Sequence, residues 1–230
     1  MIEGQYTGKL IDGVRDSKSA TLEWSNGDKY DGGFKNGLRH GFGKYLEQGG
    51  SRVYEGMWAL SQKEGRGYEK FANGDTYTGE YSHDKFHGQG ELVTRGGRYK
   101  GSFKEGLKEG MGSMVFTRTN TRYEGLWKAG RMYGKGLYAW PDGRKYEGGW
   151  VNGERHGDGI MYYPNGEKHD GTYKNNKMHG FGWYRFSSGK VRPGEWKDDQ
   201  LVRWTGAEQF EAQLKARRLQ PQKRDQDAKK

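Results

Sequence analysis

Residues Tyr146 to Lys168 read YEGGWVNGERHGDGIMYYPNGEK, and this stretch decides the fold. Tyr146, Gly148 and Trp150 alternate along the chain, so in a strand all three share one face. Asn152-Gly153 follows, a dipeptide that tolerates positive φ and is the strongest short-range signal for a hairpin turn. Gly157, Gly159, Met161 and Tyr163 then form a second face-sharing set, and Asn165-Gly166 closes the stretch with another turn. The reading is a β-hairpin of two short strands with a turn at each end. Two glycines followed by two large apolar groups predict a packing pattern, in which both glycines leave space for rings of the adjacent strand.

The same pattern extends in both directions. YEGLWKAGRMYGKGLYAWPDGRK from Tyr123 and HDGTYKNNKMHGFGWYRFSSGKV from His169 align with it without a gap. The lead residues are Tyr6, Tyr30, Tyr54, Tyr77, Tyr99, Tyr123, Tyr146, His169 and Arg192, at intervals of 24, 24, 23, 22, 24, 23, 23 and 23. A fixed period of this length signals a repeat architecture, in which each unit is stabilised by its neighbours. The ends are atypical, as an array with capped edges requires. The first copy has Leu10 at the second aromatic position and Ser17 and Ser19 for the two glycines, and the last keeps Gly194 and Trp196 and then stops.

The pattern Tyr-x-Gly-x-Trp-x-x-Gly-x-x-His-Gly-x-Gly resembles the MORN repeat (membrane occupation and recognition nexus) over roughly residues 6–205. The fold expected is all-β, an elongated single-layer antiparallel β-meander solenoid of about eight hairpins with a short C-terminal helix. His40, His87, His156 and His179 fill the motif's His position, whereas Glu64, Glu109 and Tyr133 replace it. A hydrogen-bonding role beside the next repeat is expected there. The resemblance implies a non-catalytic scaffold of a cytoskeletal assembly, of the type found in ciliary and flagellar axonemes and radial-spoke heads. Lipid kinases and methyltransferases that carry such repeats append a separate domain, which is not expected here.

Composition agrees. Only 31% of the 230 residues are hydrophobic, against about 45–50% in ordinary domains, so a large aliphatic core is excluded. Low hydrophobicity with a net charge of +10 would suggest disorder, but sixteen Tyr, eight Trp and nine Phe supply large buried areas. There is no cysteine, which excludes disulfides and thiolate chemistry. The N-terminus MIEGQYTGKL has neither the basic nor the apolar region of a signal peptide. No apolar run reaches the roughly 18 residues of a membrane span. A prenylation motif lacks its Cys, and Ile2 stands where myristoylation needs Gly. A soluble cytoplasmic protein is expected.

Residues 1–205 are thus the array. AEQFEAQLKARRLQ follows, with Phe210, Leu214 and Arg217 or Arg218 spaced for one helical face, so 206–220 is expected to be a helix that covers the last sheet edge or docks on a partner. Residues 221–230 read as a disordered basic tail.

The Gly-x-Gly pairs do not form a phosphate loop, since no G-x-x-x-x-G-K-[ST] is present and no helix follows one. The four motif histidines recur a repeat or more apart, with no cysteine or carboxylate cluster to complete a metal site. No catalytic arrangement can be singled out by spacing, and no cofactor or metal is expected. Of the net charge, +3 lies in 206–230 and +7 along the array. Basic residues cluster in the turns, among them Lys35, Arg39, Lys104, Lys108, Lys128, Arg131, Arg155, Lys174 and Lys177, and read as a solvated rim. No nucleic-acid fold signature accompanies them. The expected binding site is an aromatic groove of Trp58, Tyr81, Phe103, Trp127, Trp150, Tyr173 and Trp196 that holds an amphipathic helix or extended segment of a partner protein. The alternative is a peripheral membrane adaptor for anionic phosphoinositides. Edge strands at either end leave room for a homodimer.

Overall fold

The computed structural model describes residues 4–208, 210–212 and 215. The chain is all-β, with eighteen strands in an antiparallel meander and a separate two-stranded ribbon of Leu10–Ile11 and Val14–Arg15. It divides into two compact units, Met1–Met132 and Tyr133–Lys230.

In the second unit the quoted stretch forms the expected hairpin, Lys145–Val151 against Glu154–Tyr162. Tyr146 pairs with Met161 and Gly148 with Gly159, but the register then slips, and Trp150 pairs with Arg155. This is a β-bulge, and it separates the roles of the two glycines. Gly157 takes φ +73°, and a Cβ added there would meet nothing within 4 Å. It is a conformational glycine at the bulge. Gly159 is the packing glycine, because an added Cβ would stand 2.5 Å from Cζ and 2.6 Å from Cε2 of Tyr146. The expectation that both glycines make room for a ring therefore holds for the second only. The ring lies across Gly148 and Gly159, and its hydroxyl donates to the Gly149 carbonyl at 3.1 Å, inside the bulge.

The first unit repeats this device. Tyr30, Tyr54, Tyr77, Tyr99 and Tyr123 donate to the carbonyls of Gly33, Met57, Glu80, Ser102 and Leu126 at 3.0, 2.9, 2.9, 2.9 and 2.8 Å. Each lead tyrosine thus satisfies a carbonyl three residues on, which is why tyrosine rather than phenylalanine holds the position.

The two turns differ. Asn152 and Gly153 both take positive φ, at 52° and 87°, as the sequence predicts. At Asn165-Gly166 only the glycine does, at 82°. There the Asn165 Oδ1 accepts from the Glu167 N–H at 3.1 Å, so asparagine serves as a side-chain acceptor.

Neighbouring repeats are tied by a reciprocal clamp. In the first unit the Asp84 N–H donates to the Lys63 carbonyl at 3.1 Å, and the Lys63 N–H donates to Asp84 Oδ1 at 2.8 Å. In the second, Asn176 and Arg155 exchange the same two bonds at 3.1 and 3.0 Å. Where Gly106 holds the position only one bond remains, to the Phe86 carbonyl at 2.9 Å. Replacing Asp84 with Ala is expected to cost about 1–2 kcal/mol, from one lost bond and the positive φ at this site. Urea unfolding checks this, and an unchanged midpoint would show that the clamp contributes nothing.

The degenerate ends are finished differently. In the first unit Leu10 is 53% exposed, and its ribbon stands apart from the main sheet. In the second, Trp204 closes the row of rings, edge-on to Trp196 at 5.9 Å. Residues 207, 208, 210–212 and 215 are helical, and the Phe210 N–H donates to the Gly206 carbonyl at 3.1 Å. Among the described helical residues one ring is buried, and it packs on a face of the sheet. Phe210, 2% exposed, sits 4.6 Å from Trp183 and 6.5 Å from Phe181, on the sheet face opposite the rings. Leu214, Arg217, Arg218 and the tail 221–230 lie outside the described residues.

Candidate interaction surface

The seven aromatic residues expected to line a groove form a ladder with the lead rings. In the first unit Trp58 is edge-on to Tyr30 at 5.5 Å and to Tyr54 at 5.0 Å. Tyr81 bridges Tyr54 and Tyr77, both at 5.2 Å. Phe103 bridges Tyr77 and Tyr99 at 5.2 and 5.0 Å, and Trp127 bridges Tyr99 and Tyr123, both at 5.2 Å. In the second unit Trp150 meets Tyr146 at 5.3 Å, Tyr173 bridges Tyr146 and His169 at 4.9 and 5.2 Å, and Trp196 meets His169 at 4.7 Å. Each such edge-to-face pair adds about 0.5–1.5 kcal/mol to the burial itself. The indole N–H groups of Trp58, Trp127 and Trp150 donate to the carbonyls of Gly43, Gly112 and Gly136. All seven side chains are only 2–5% exposed. The ladder is the core, and a partner on this side would meet ring edges and whatever covers them.

What covers them is a set of cations. Arg39 lies 4.0 Å from the Trp58 ring centre. Lys63 stands over Tyr54 at 4.8 Å, Lys108 is 4.9 Å from both Tyr99 and Trp127, and Arg155 is 5.6 Å from both Tyr146 and Tyr173. Each follows the second aromatic by five residues and, at Trp58, Phe103 and Trp150, is its cross-strand partner. Burial lowers the pKa of Arg39, Lys63 and Lys108. The sequence reading placed Arg39, Lys108 and Arg155 on a solvated rim. The signal for the lid was there, a long cation five residues after the ring, but it counts only once the hairpin register is known.

A carboxylate and an imidazole are buried at one packing position and one lead position. Glu69, 1% exposed, stands where other copies have Tyr45, Leu92 or Met114. Its carboxylate accepts from Arg52 Nε at 2.7 Å, from Tyr81 Oη at 2.8 Å and from Lys63 Nζ. The pair is sustained because every charge is bonded, as buried ions require.

His169 replaces a lead tyrosine and is fully buried. Its Nδ1 is 2.7 Å from Tyr173 Oη, while Nε2 has no partner among the described residues. Burial pushes its pKa down from 6.5 to about 4. Between these two values the unfolded chain binds a proton that the folded chain does not, so stability falls as the pH is lowered from about 7 to about 4. The loss approaches about 3 kcal/mol. Stability curves for the parent and a His169→Tyr variant should separate in this window and run parallel above it. Parallel curves throughout would show that His169 does not titrate across folding.

At the motif's His position, Glu64 and Glu109 accept from the His83 and Ala129 N–H groups of the next turn, at 3.0 and 2.8 Å. His179 Nδ1 lies 3.6 Å from Asp198. No three His, Cys, Asp or Glu side chains stand together as a metal site would require among the described residues. None of the described helical residues forms a helix long and apolar enough to cross a membrane.

The opposite face of the first unit is different in kind. Phe42 is 60% exposed, Met57 43%, Met111 58% and Leu126 37%, and Phe42 pairs with Met57 and Met111 with Leu126 across adjacent strands.

The family model of the MORN repeat matches residues 30–51, 54–76, 77–97, 99–120, 123–143, 146–168 and 169–191. These seven segments start at the lead residues from Tyr30 to His169. No curated protein matches the chain. Among solved structures, it is similar to the TCP10 domain of Danio rerio CPAP, at 14% identity over 89% of this chain and 95% of that one, with a TM-score of 0.45. It is also similar to the SAS-4 (dCPAP) TCP domain in complex with a proline-rich motif of Ana2 (dSTIL) of Drosophila melanogaster, at 8% identity over 84% and 90% of the chains, with a TM-score of 0.39. Likeness at these values carries no functional argument.

Proposed function

Since this chain belongs to the MORN-repeat family, we propose that it is a non-catalytic scaffold that binds other proteins. The observation that supports this most is the division of labour between the faces. The rings fill their own ladder, while large apolar groups such as Phe42 and Met111 stand on a stiff sheet with solvent over them. The finer reading, taken from the resemblance, is a component of a cytoskeletal assembly, of the axonemal radial-spoke-head type. The groove residues Trp58, Tyr81, Phe103, Trp127, Trp150, Tyr173 and Trp196 serve it from within, by setting the position of the lid cations and of the surface around them.

Localisation of the tagged chain in a ciliated cell, with affinity capture and mass spectrometry, tests this. Recovery of axonemal or other cytoskeletal proteins is the expected result, and capture of none would remove the cytoskeletal assignment. The alternative, adhesion to anionic phosphoinositides, fits less well, because Arg39, Lys63, Lys108 and Arg155 cover rings. Co-sedimentation with phosphoinositide-containing vesicles over a salt series separates the two, and tight binding at physiological salt would favour the membrane reading.

A further inference from the structure

On the face away from the rings, counting each lead residue as position 0, positions 12 and 14 of a repeat point outward together. In the repeat led by His169 these are Phe181 and Trp183, and they are covered by Phe210 of the C-terminal helix, which is 2% exposed there. The array therefore holds one helical phenylalanine on this face already.

The first unit offers the same kind of seat, left open among the described residues. Phe42 stands at position 12 of its repeat and Tyr68 at position 14 of the next, with Met57 paired to Phe42 between them. Their exposures are 60, 40 and 43%. Phe42 and Tyr68 border a furrow of about 620 Å3 that runs from Phe42 to Lys100, and Phe42 also walls a second furrow of about 580 Å3. The first furrow crosses six strands, from Leu38–Glu47 to Gly97–Lys104. Five steps of about 4.8 Å make roughly 24 Å, the length of about 16 helical residues. The furrow runs across the strands, so an occupant lies over them and does not extend the sheet. Its polar walls are paired across strands, Arg66 opposite Glu80 and Glu91 opposite Lys100, so it selects by shape and apolar contact rather than by net charge.

We infer that this furrow is a docking site for an amphipathic helix of a partner protein, anchored by an aromatic side chain against Phe42 and Tyr68 as Phe210 is anchored against Trp183. The inference rests on the protein-binding reading above and gives it a surface.

The probe is a fluorescein-labelled peptide of residues 205–220, which carries Phe210, titrated into the full chain and read by fluorescence anisotropy. Saturable binding is expected. It should weaken at least tenfold with Phe42→Glu in the chain or Phe210→Ala in the peptide, and persist with Lys108→Gln on the ring side. Tyr68→Glu provides a second probe of the furrow, and circular dichroism confirms that each variant is folded. No saturable binding, or binding untouched by both furrow variants, would overturn the inference. Concentration-dependent dimerisation abolished by Phe42→Glu would overturn it too, by making a second copy the occupant. The capture experiment above is scored separately, so a scaffold that binds its partners elsewhere would survive the loss of this site.

Discussion

Replacing Gly159 with Ala is expected to destabilise the Tyr133–Lys230 unit by about 4 kcal/mol, whereas Gly157→Ala, two residues away, costs about 1 kcal/mol. The added methyl at 159 would overlap Cζ and Cε2 of Tyr146, which is fully buried and held by its bond to the Gly149 carbonyl. The ring cannot tilt away without leaving its seat. Its burial is worth about 1.5–3 kcal/mol and the hydroxyl bond about 0.5–1.5 kcal/mol. At 157 the methyl meets open space and only the positive φ resists it. Urea unfolding of the two variants, followed by tryptophan fluorescence, measures the difference. Equal losses would mean that the two glycines share one role and that the bulge is misplaced.

Trp150→Ala is expected to cost about 4 kcal/mol, the range for deleting a large buried aromatic side chain. Trp150 is 4% exposed, packs on Tyr146 and donates to the Gly136 carbonyl. Trp150→Phe should lose only about 1–2 kcal/mol, since the ring contact survives and only the indole bond and some volume go. Phe34 and Phe103 hold the corresponding place in other repeats. A groove residue whose ring faced a partner would behave otherwise, with binding reduced and stability nearly unchanged. That pattern at Trp150 would put the rings back at the interface.

Much of this was legible in the sequence. The period, the face-sharing rings and the Asn152-Gly153 type of turn follow from alternation and turn chemistry, and the seven matched repeats begin at the residues from Tyr30 to His169 that the period picks out. What was not legible depends on register. A bulge between Gly148 and Trp150 leaves no mark in a two-residue alternation, so Gly157 and Gly159 looked alike. For the same reason Arg155 looked like a turn residue, although the slip brings it opposite Trp150 and over Tyr146. The clamp between Asp84 and Lys63 spans 21 residues and joins two turns that look independent in the chain. The seat of Phe210 on Trp183 required knowing which face the helix returns to.

The most direct test of the ring ladder as core is alkaline titration of the tyrosines, followed by absorbance at 295 nm. An ordinary tyrosine ionises near pH 10. Burial raises the pKa of Tyr30 and Tyr99 to about 12 and holds Tyr54, Tyr77 and Tyr146 well above the ordinary value. The prediction is two phases. The accessible tyrosines ionise around pH 10, and the lead tyrosines stay silent until the fold is lost and then ionise together. A single smooth titration of all sixteen near pH 10, with the fold intact, would contradict it.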